Sequence, residues 1–81
     1  MVTCNQYDFI EIACMFKLPI EITLKNGETH QGNAFDTGYD MQRQECLFLD
    51  MDGEHTAFPT EQLVAMRALK ANPHFDEVTF E

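Results

Sequence analysis

The beginning of the chain has apolar residues at the spacing of an amphipathic helix. At about 100° per residue, one face carries Phe9, Ile10, Ile12, Ala13 and Phe16, and the opposite side carries Tyr7, Asp8, Glu11 and Met15. Asn5 has a side chain suited to an N-cap, and Pro19 cannot continue a helix. The pattern therefore predicts an α-helix over about residues 5–17.

Strand patterns follow the predicted helix. Apolar and polar residues alternate over residues 20–25, as in a strand with one buried face. Asn26-Gly27 is a strong hairpin signal, and it predicts a returning strand over about residues 28–36. Gly32 within that strand predicts a bend or bulge, and the polar residues 37–44 predict a loop.

A second hairpin is predicted next. Residues 45–51 are apolar enough for a central strand, and Asp52-Gly53 predicts a tight turn into a strand over residues 54–58. Pro59 ends that strand, and a short turn over residues 60–62 follows.

The last third of the chain leaves one element open. Residues 63–69 fit either a fifth strand or a helix, and their intrinsic propensity favours the helix. Asn72-Pro73 breaks this segment, and residues 77–80 alternate as a short edge strand.

These elements predict a mainly β fold. Closely spaced hairpins are typical of a small antiparallel barrel, and the N-terminal helix would cover its open core. At 81 residues the chain is expected to form a single domain, with the helix at about 5–17 and the barrel at about 18–80.

The charge balance narrows the choice of partner. Fourteen Asp and Glu residues against five Lys and Arg residues give a net charge of −9, spread along the chain. Nucleic-acid affinity comes mainly from cations that neutralise phosphates, so no direct nucleic-acid binding is expected. An acidic surface fits a basic surface on another protein, although acidity can also serve solubility alone.

Cysteine count and hydropathy indicate the compartment. Three cysteines, Cys4, Cys14 and Cys46, are an odd number at irregular spacing, which predicts reduced thiols. The longest apolar run has five residues, 12–16, so no membrane span is expected. No signal-peptide pattern is present, and the expected location is the cytoplasm.

Catalytic and metal-binding motifs are missing from the sequence. The cysteines and histidines do not pair at zinc-site spacings, and no phosphate loop, dinucleotide fingerprint or nucleophile elbow occurs. We therefore expect no enzyme, no metal and no cofactor. What remains is the polar helix side with Tyr7, Asp8 and Glu11, which is either a docking surface or an ordinary solvated face.

The segment CNQYDFIEIAC at residues 4–14 resembles the opening motif of the Rof (YaeO) family, the Rho-binding antiterminators of bacteria. The resemblance continues through Leu24-Lys25-Asn26-Gly27-Glu28, residues 46–49 and residues 63–73, but does not extend to residues 37–44. It implies an Sm-like antiparallel barrel preceded by one α-helix, with a strand at residues 63–69.

The resemblance also implies a partner and a site. The partner is transcription termination factor Rho, and the family binds its N-terminal RNA-binding region and keeps RNA from the primary site. Tyr7, Asp8 and Glu11 match the family positions on the helix that enters this site, and Asn5 is a weaker companion. We expect a protein that is monomeric when free.

A second hypothesis is an Sm-like RNA-binding module. Sm-like relatives often form rings and bind RNA themselves. Such a module would depend on Arg43, Arg67 and Lys70, whereas the low number of cations favours the Rho inhibitor.

Overall fold

The computed structural model describes residues 4–80, with only the backbone of Cys4. One helix and six strands follow one another along the chain: α1 (Cys4–Met15), β1 (Pro19–Leu24), β2 (Thr29–Tyr39), β3 (Glu45–Met51), β4 (Glu54–Pro59), β5 (Leu63–Ala68) and β6 (Glu77–Thr79). A short 3-10 turn, Thr60–Gln62, joins β4 to β5. The predicted mainly β class with one N-terminal helix is confirmed.

The strands form one antiparallel sheet in the order β4-β3-β2-β1-β5-β6. One side of the sheet is covered by α1, which packs mainly against β2 and more lightly against β6. Over residues 4–80 the hydrogen-bonded ladders leave β4 and β6 as edge strands, so the sheet is open. The predicted closure into a barrel is not confirmed.

Both predicted hairpin turns are confirmed. Gly27 has a φ of +89° and donates its N–H to the Leu24 carbonyl at 2.9 Å. In the second turn, Asp52 and Gly53 have φ angles of 55° and 88°, the left-handed values that a two-residue type I′ turn requires. The side chain of Asp50 supports this turn by accepting the Gly53 N–H at 2.9 Å.

Strand β2 is longer than predicted, and its irregularity lies elsewhere. Residues 37–39 continue the strand through pairing with β3, so the loop is limited to residues 40–44. The register shifts between Ala34 and Asp36, not at Gly32 as predicted. Gly32 is instead a point of close approach, because a Cβ there would lie 2.9 Å from the Asp50 carbonyl oxygen.

Segment 63–69 is strand β5 over Leu63–Ala68, as the family resemblance implies, and not the helix that its propensity favours. It pairs with β1 on one side and with β6 on the other, and its Leu63 and Met66 side chains are buried. Pairing on both sides together with burial outweighs an intrinsic preference of a few tenths of a kcal/mol per residue.

The buried face of α1 is rotated relative to the prediction. Ile10, Ala13 and Cys14 are buried, whereas Ile12 is only half-buried. Phe16 lies beyond the end of α1 at Met15, is 53% exposed and stacks on His74 at 4.7 Å between ring centroids. Cys4 and Asn5 are both helical, so Asn5 is not the N-cap.

The core joins the helix to the inner side of the sheet. Its buried members are Ile10, Ala13, Cys14, Ile20, Ile22, Ala34, Leu47, Leu49, Phe58, Leu63, Met66, Phe75, Val78 and Phe80. Cys14 and Cys46 are buried free thiols, and the side chain of Cys4 lies outside the described residues. In the described part of the chain, no helix has the length and apolarity needed to cross a membrane.

Candidate protein-binding surface on the helix

The outward side of α1 carries a row of exposed side chains. Asn5, Asp8 and Glu11 are spaced three residues apart, which places them along one side of a helix, and all three are exposed. We call these three residues the acidic stripe. Met15, 71% exposed, extends the row at the C-terminal end of the helix.

Tyr7 is placed differently from the prediction. Its side chain is half-buried and packs against the core instead of lying opposite the buried face. Burial raises the pKa of the Tyr7 phenol, a hydrogen bond with the Thr37 side chain lowers it, and the negative charge of Glu45 raises it again. The ring is therefore held at the junction between α1, β2 and β3, beside the acidic stripe.

A shallow groove runs between α1 and β2 on the same side of the helix. Glu11 and Met15 line one wall, and Asp36 and Thr37 line the other. Burial raises the pKa of the Cys14 thiol at its base to about 11, and the negative charge of Asp36 adds to the rise. Glu11 acts on the same thiol in the same direction, so its carboxylate and that of Asp36 both face this groove.

A cation is also present at this groove. Lys17, just after the end of α1, donates from Nζ to the Phe35 carbonyl oxygen at 2.5 Å. The same Nζ lies 4.5 Å from the centroid of the Phe35 ring, a cation–π contact. The groove is lined by this one ammonium and by two carboxylates, those of Glu11 and Asp36, so negative charge is in excess there.

The sequence reasoning missed Asp36 and Glu45. Both lie beside the predicted helix residues because β2 continues to Tyr39 and pairs with the beginning of β3. The sequence pattern places Asp36 at the end of one strand and Glu45 at the start of the next, with a polar loop over residues 37–44 between them, and nothing in it places either residue beside the helix.

Among the side chains that the structure describes, no group of three His, Cys, Asp or Glu residues converges as a metal site requires. This surface carries negative charge, the half-buried phenol of Tyr7 and exposed apolar atoms. These groups suit non-covalent contact with another macromolecule.

Comparisons with known proteins agree on one family. A family model described as "Modulator of Rho-dependent transcription termination (ROF)" matches residues 1–80. The solved structure of YaeO bound to magnesium from Vibrio cholerae O395 is similar, with a TM-score of 0.89 and 45% sequence identity. The match covers 94% of this chain and 99% of that chain. A search of curated proteins gave no match.

Proposed function

This chain belongs to the Rof family of modulators of Rho-dependent transcription termination, and on that basis we propose that it inhibits termination by binding Rho. The proposed contact is between the acidic stripe and the N-terminal RNA-binding region of Rho. Its effect is to occlude the primary RNA site. The observation that carries the proposal is the exposure of Asp8 and Glu11 on one side of a helix that is anchored to the core by Ile10.

The proposed mechanism is competition for cations. A site that holds RNA offers cationic groups for phosphates and flat surfaces for bases. Asp8 and Glu11 would bind such cations through charge-assisted hydrogen bonds, and Asn5 would add an uncharged polar contact. The exposed edge of the Tyr7 ring would pack where a base lies. No covalent bond is made or broken, so the proposal involves no catalysis and no cofactor.

Anchoring of the helix supports this mechanism. The carboxylates project from a helix that is held by Ile10 and Ala13, both fully buried, and by the Tyr7 ring against β2 and β3. A fixed helix presents its charges without a large loss of conformational entropy on binding.

Charge reversal tests the proposed contact. Asp8→Lys and Glu11→Lys each replace an attractive carboxylate with a repelled ammonium, so we expect each to weaken binding to intact Rho by at least about 30-fold, roughly 2 kcal/mol. Titration calorimetry or interferometry with the Rho hexamer provides the measurement. Asp76→Lys is the matched control, because it reverses the charge of an exposed residue in the segment before β6.

The fold of each variant is checked by circular dichroism. If both helix reversals bind Rho as well as the Asp76→Lys control, the assigned surface is wrong. Tyr7→Phe adds a finer test, since it removes the hydroxyl that contacts Thr37 and Glu45 but keeps the ring.

The alternative, an Sm-like RNA-binding module, has less support. Arg67 donates to the Glu21 carboxylate at 3.1 Å, so part of its charge is already neutralised. The Lys17 ammonium is engaged by Phe35. Gel-shift assays with single-stranded RNA separate the two functions: the inhibitor leaves RNA unshifted by itself and releases RNA from Rho, whereas the module shifts RNA without Rho.

Three further expectations belong to the same proposal. An Sm-like barrel is the finer form of the fold that the family resemblance implies. A modulator of transcription termination acts in the bacterial cytoplasm, where Rho and nascent RNA meet. The free chain is expected to be a monomer, which sedimentation velocity would test.

A further inference from the structure

The outer face of the sheet carries an aromatic cleft next to the groove beside α1. Phe35, Phe48 and His55 line it together with Asp36 and Thr37. The Phe35 and His55 rings stack with centroids 3.9 Å apart and planes inclined by 24°. Gly38 leaves room for the Phe48 ring, since a Cβ there would lie 3.2 Å from a ring carbon. We call the set Phe35, Asp36, Phe48 and His55 the aromatic cleft.

This cleft is continuous with the surface of the acidic stripe. The groove that begins at Glu11 and the aromatic cleft share Phe35, Asp36 and Thr37 as lining residues. The shared segment lies at the bulge of β2, where the register shifts between Ala34 and Asp36. A macromolecule that covers Glu11 therefore meets the cleft without a gap.

We propose that the aromatic cleft binds an arginine side chain of Rho, as a second contact beyond the acidic stripe; the inference rests on the proposed function. The cleft has a volume of about 290 Å³, which is at the lower limit of small-molecule pockets and fits a single side chain. Aromatic faces and a carboxylate in one cleft match a guanidinium, which stacks on rings and donates in a plane to carboxylates.

Two observations favour a cation over a nucleobase. The Lys17 ammonium lies over the Phe35 ring, so a ring of this cleft already holds a cation, and because His55 stacks on Phe35 as well, the ring left for the guanidinium is that of Phe48. The carboxylates of Asp36 and Glu11, within a net charge of −9, repel the phosphates that accompany a base. A guanidinium can both stack on an aromatic ring and donate hydrogen bonds to the carboxylate.

The test compares charge removal at the cleft with charge removal elsewhere. Asp36→Asn keeps a side-chain oxygen for the Thr37 N–H, which Asp36 accepts at 2.8 Å, and removes only the charge. We expect its affinity for intact Rho to fall about five-fold, with a weaker dependence of affinity on salt. Asp76→Asn removes the same charge from the β6 side and should change the affinity less than two-fold.

The aromatic contribution is tested separately. Phe48→Leu removes the ring face and is expected to weaken binding about three-fold without changing the salt dependence, as expected for a cation–π contact at a surface. If this variant is less folded by circular dichroism, His55→Leu at an exposed residue provides the same test.

The outcomes separate the two proposals. If Asp36→Asn behaves like Asp76→Asn, the cleft is not a contact, although loss of binding in Asp8→Lys would still support the acidic stripe. If Asp36→Asn weakens binding but neither aromatic variant does, the guanidinium assignment is overturned. If the unaltered chain does not bind Rho, the proposed function fails together with the cleft.

Discussion

At the scale of single residues, Gly32 occupies a position where a side chain would collide with the neighbouring strand. Its Cα pairs with Ile20 of β1, and an added Cβ would meet both the Asp50 carbonyl oxygen and Met51 Cγ at 2.9 Å. A side-chain atom such as Met51 Cγ can rotate away, whereas the carbonyl belongs to the β3 backbone. The position therefore tolerates no side chain unless β2 and β3 move apart.

Gly32→Ala is expected to lower the free energy of unfolding by about 2 kcal/mol, the usual cost of overpacking. Gly38→Ala is the matched control, because its Cβ would meet only the Phe48 ring at 3.2 Å, and a ring can tilt. We expect the control to cost under about 1 kcal/mol. Urea denaturation of both variants measures the difference, and equal costs would show that the carbonyl contact is not limiting.

Cys14 provides a pH-dependent test of packing at the base of the groove. Its side chain is buried against the core, and burial, with the charge of Asp36, raises the pKa of the thiol to about 11. The unfolded thiol titrates near pH 8.5. Between these values the folded chain holds a proton that the unfolded chain has lost, so stability decreases as the pH rises.

The free energy of unfolding is therefore expected to fall more steeply between about pH 8.5 and 11 for the unaltered chain than for Cys14→Ala. Other groups titrate in this range in both proteins, so the difference between the two slopes isolates Cys14. Urea denaturation at half-unit pH steps measures it. Parallel slopes would mean that the Cys14 thiol is as hydrated in the folded chain as in the unfolded chain.

At the scale of elements, the sequence predicts those turns and strands that depend on a few neighbouring residues. The Asn26-Gly27 and Asp52-Gly53 turns and the bounds of β3 match the structure because turn chemistry and a continuous apolar run act over a few residues. Strand β5 was beyond such reasoning, since its state depends on pairing with β1 and β6. The same holds for Phe16, whose exposure depends on where the segment with His74 lies.

The orientation of α1 can be tested with two isoleucines. The sequence placed Ile10 and Ile12 on one apolar face, but the structure buries Ile10 completely and leaves Ile12 half-buried. Ile10→Ala is therefore expected to cost about 3 kcal/mol and Ile12→Ala about 1 kcal/mol in free energy of unfolding. Thermal and urea denaturation measure both. Equal losses would indicate that the helix is rotated towards Ile12.

At the scale of the whole molecule, the composition of the candidate surface follows from sheet register. Asp8 and Glu11 could be predicted from helical spacing and family resemblance, since both belong to one segment. Asp36 and Glu45 join them through the β2–β3 ladder and the packing of α1 on β2, which are long-range pairings. A single sequence carries no signal for such contacts.

Net charge and local charge make different predictions for the binding of Rho. If the total of −9 only steers the encounter, any two neutralised carboxylates should slow association equally. If the acidic stripe forms the contact, Asp8→Asn with Glu11→Gln should also speed dissociation, because buried charge pairs mainly set the dissociation rate.

Asp76→Asn with Glu77→Gln gives a chain of the same net charge, −7, with both changes at exposed residues on the β6 side. We expect the stripe variant to dissociate from Rho at least about ten-fold faster than this control, while both associate somewhat more slowly than the unaltered chain. Surface-based kinetics at two salt concentrations measure both rates. Equal dissociation rates would mean that the acidic stripe only steers the encounter with Rho and that the contact lies elsewhere on the molecule.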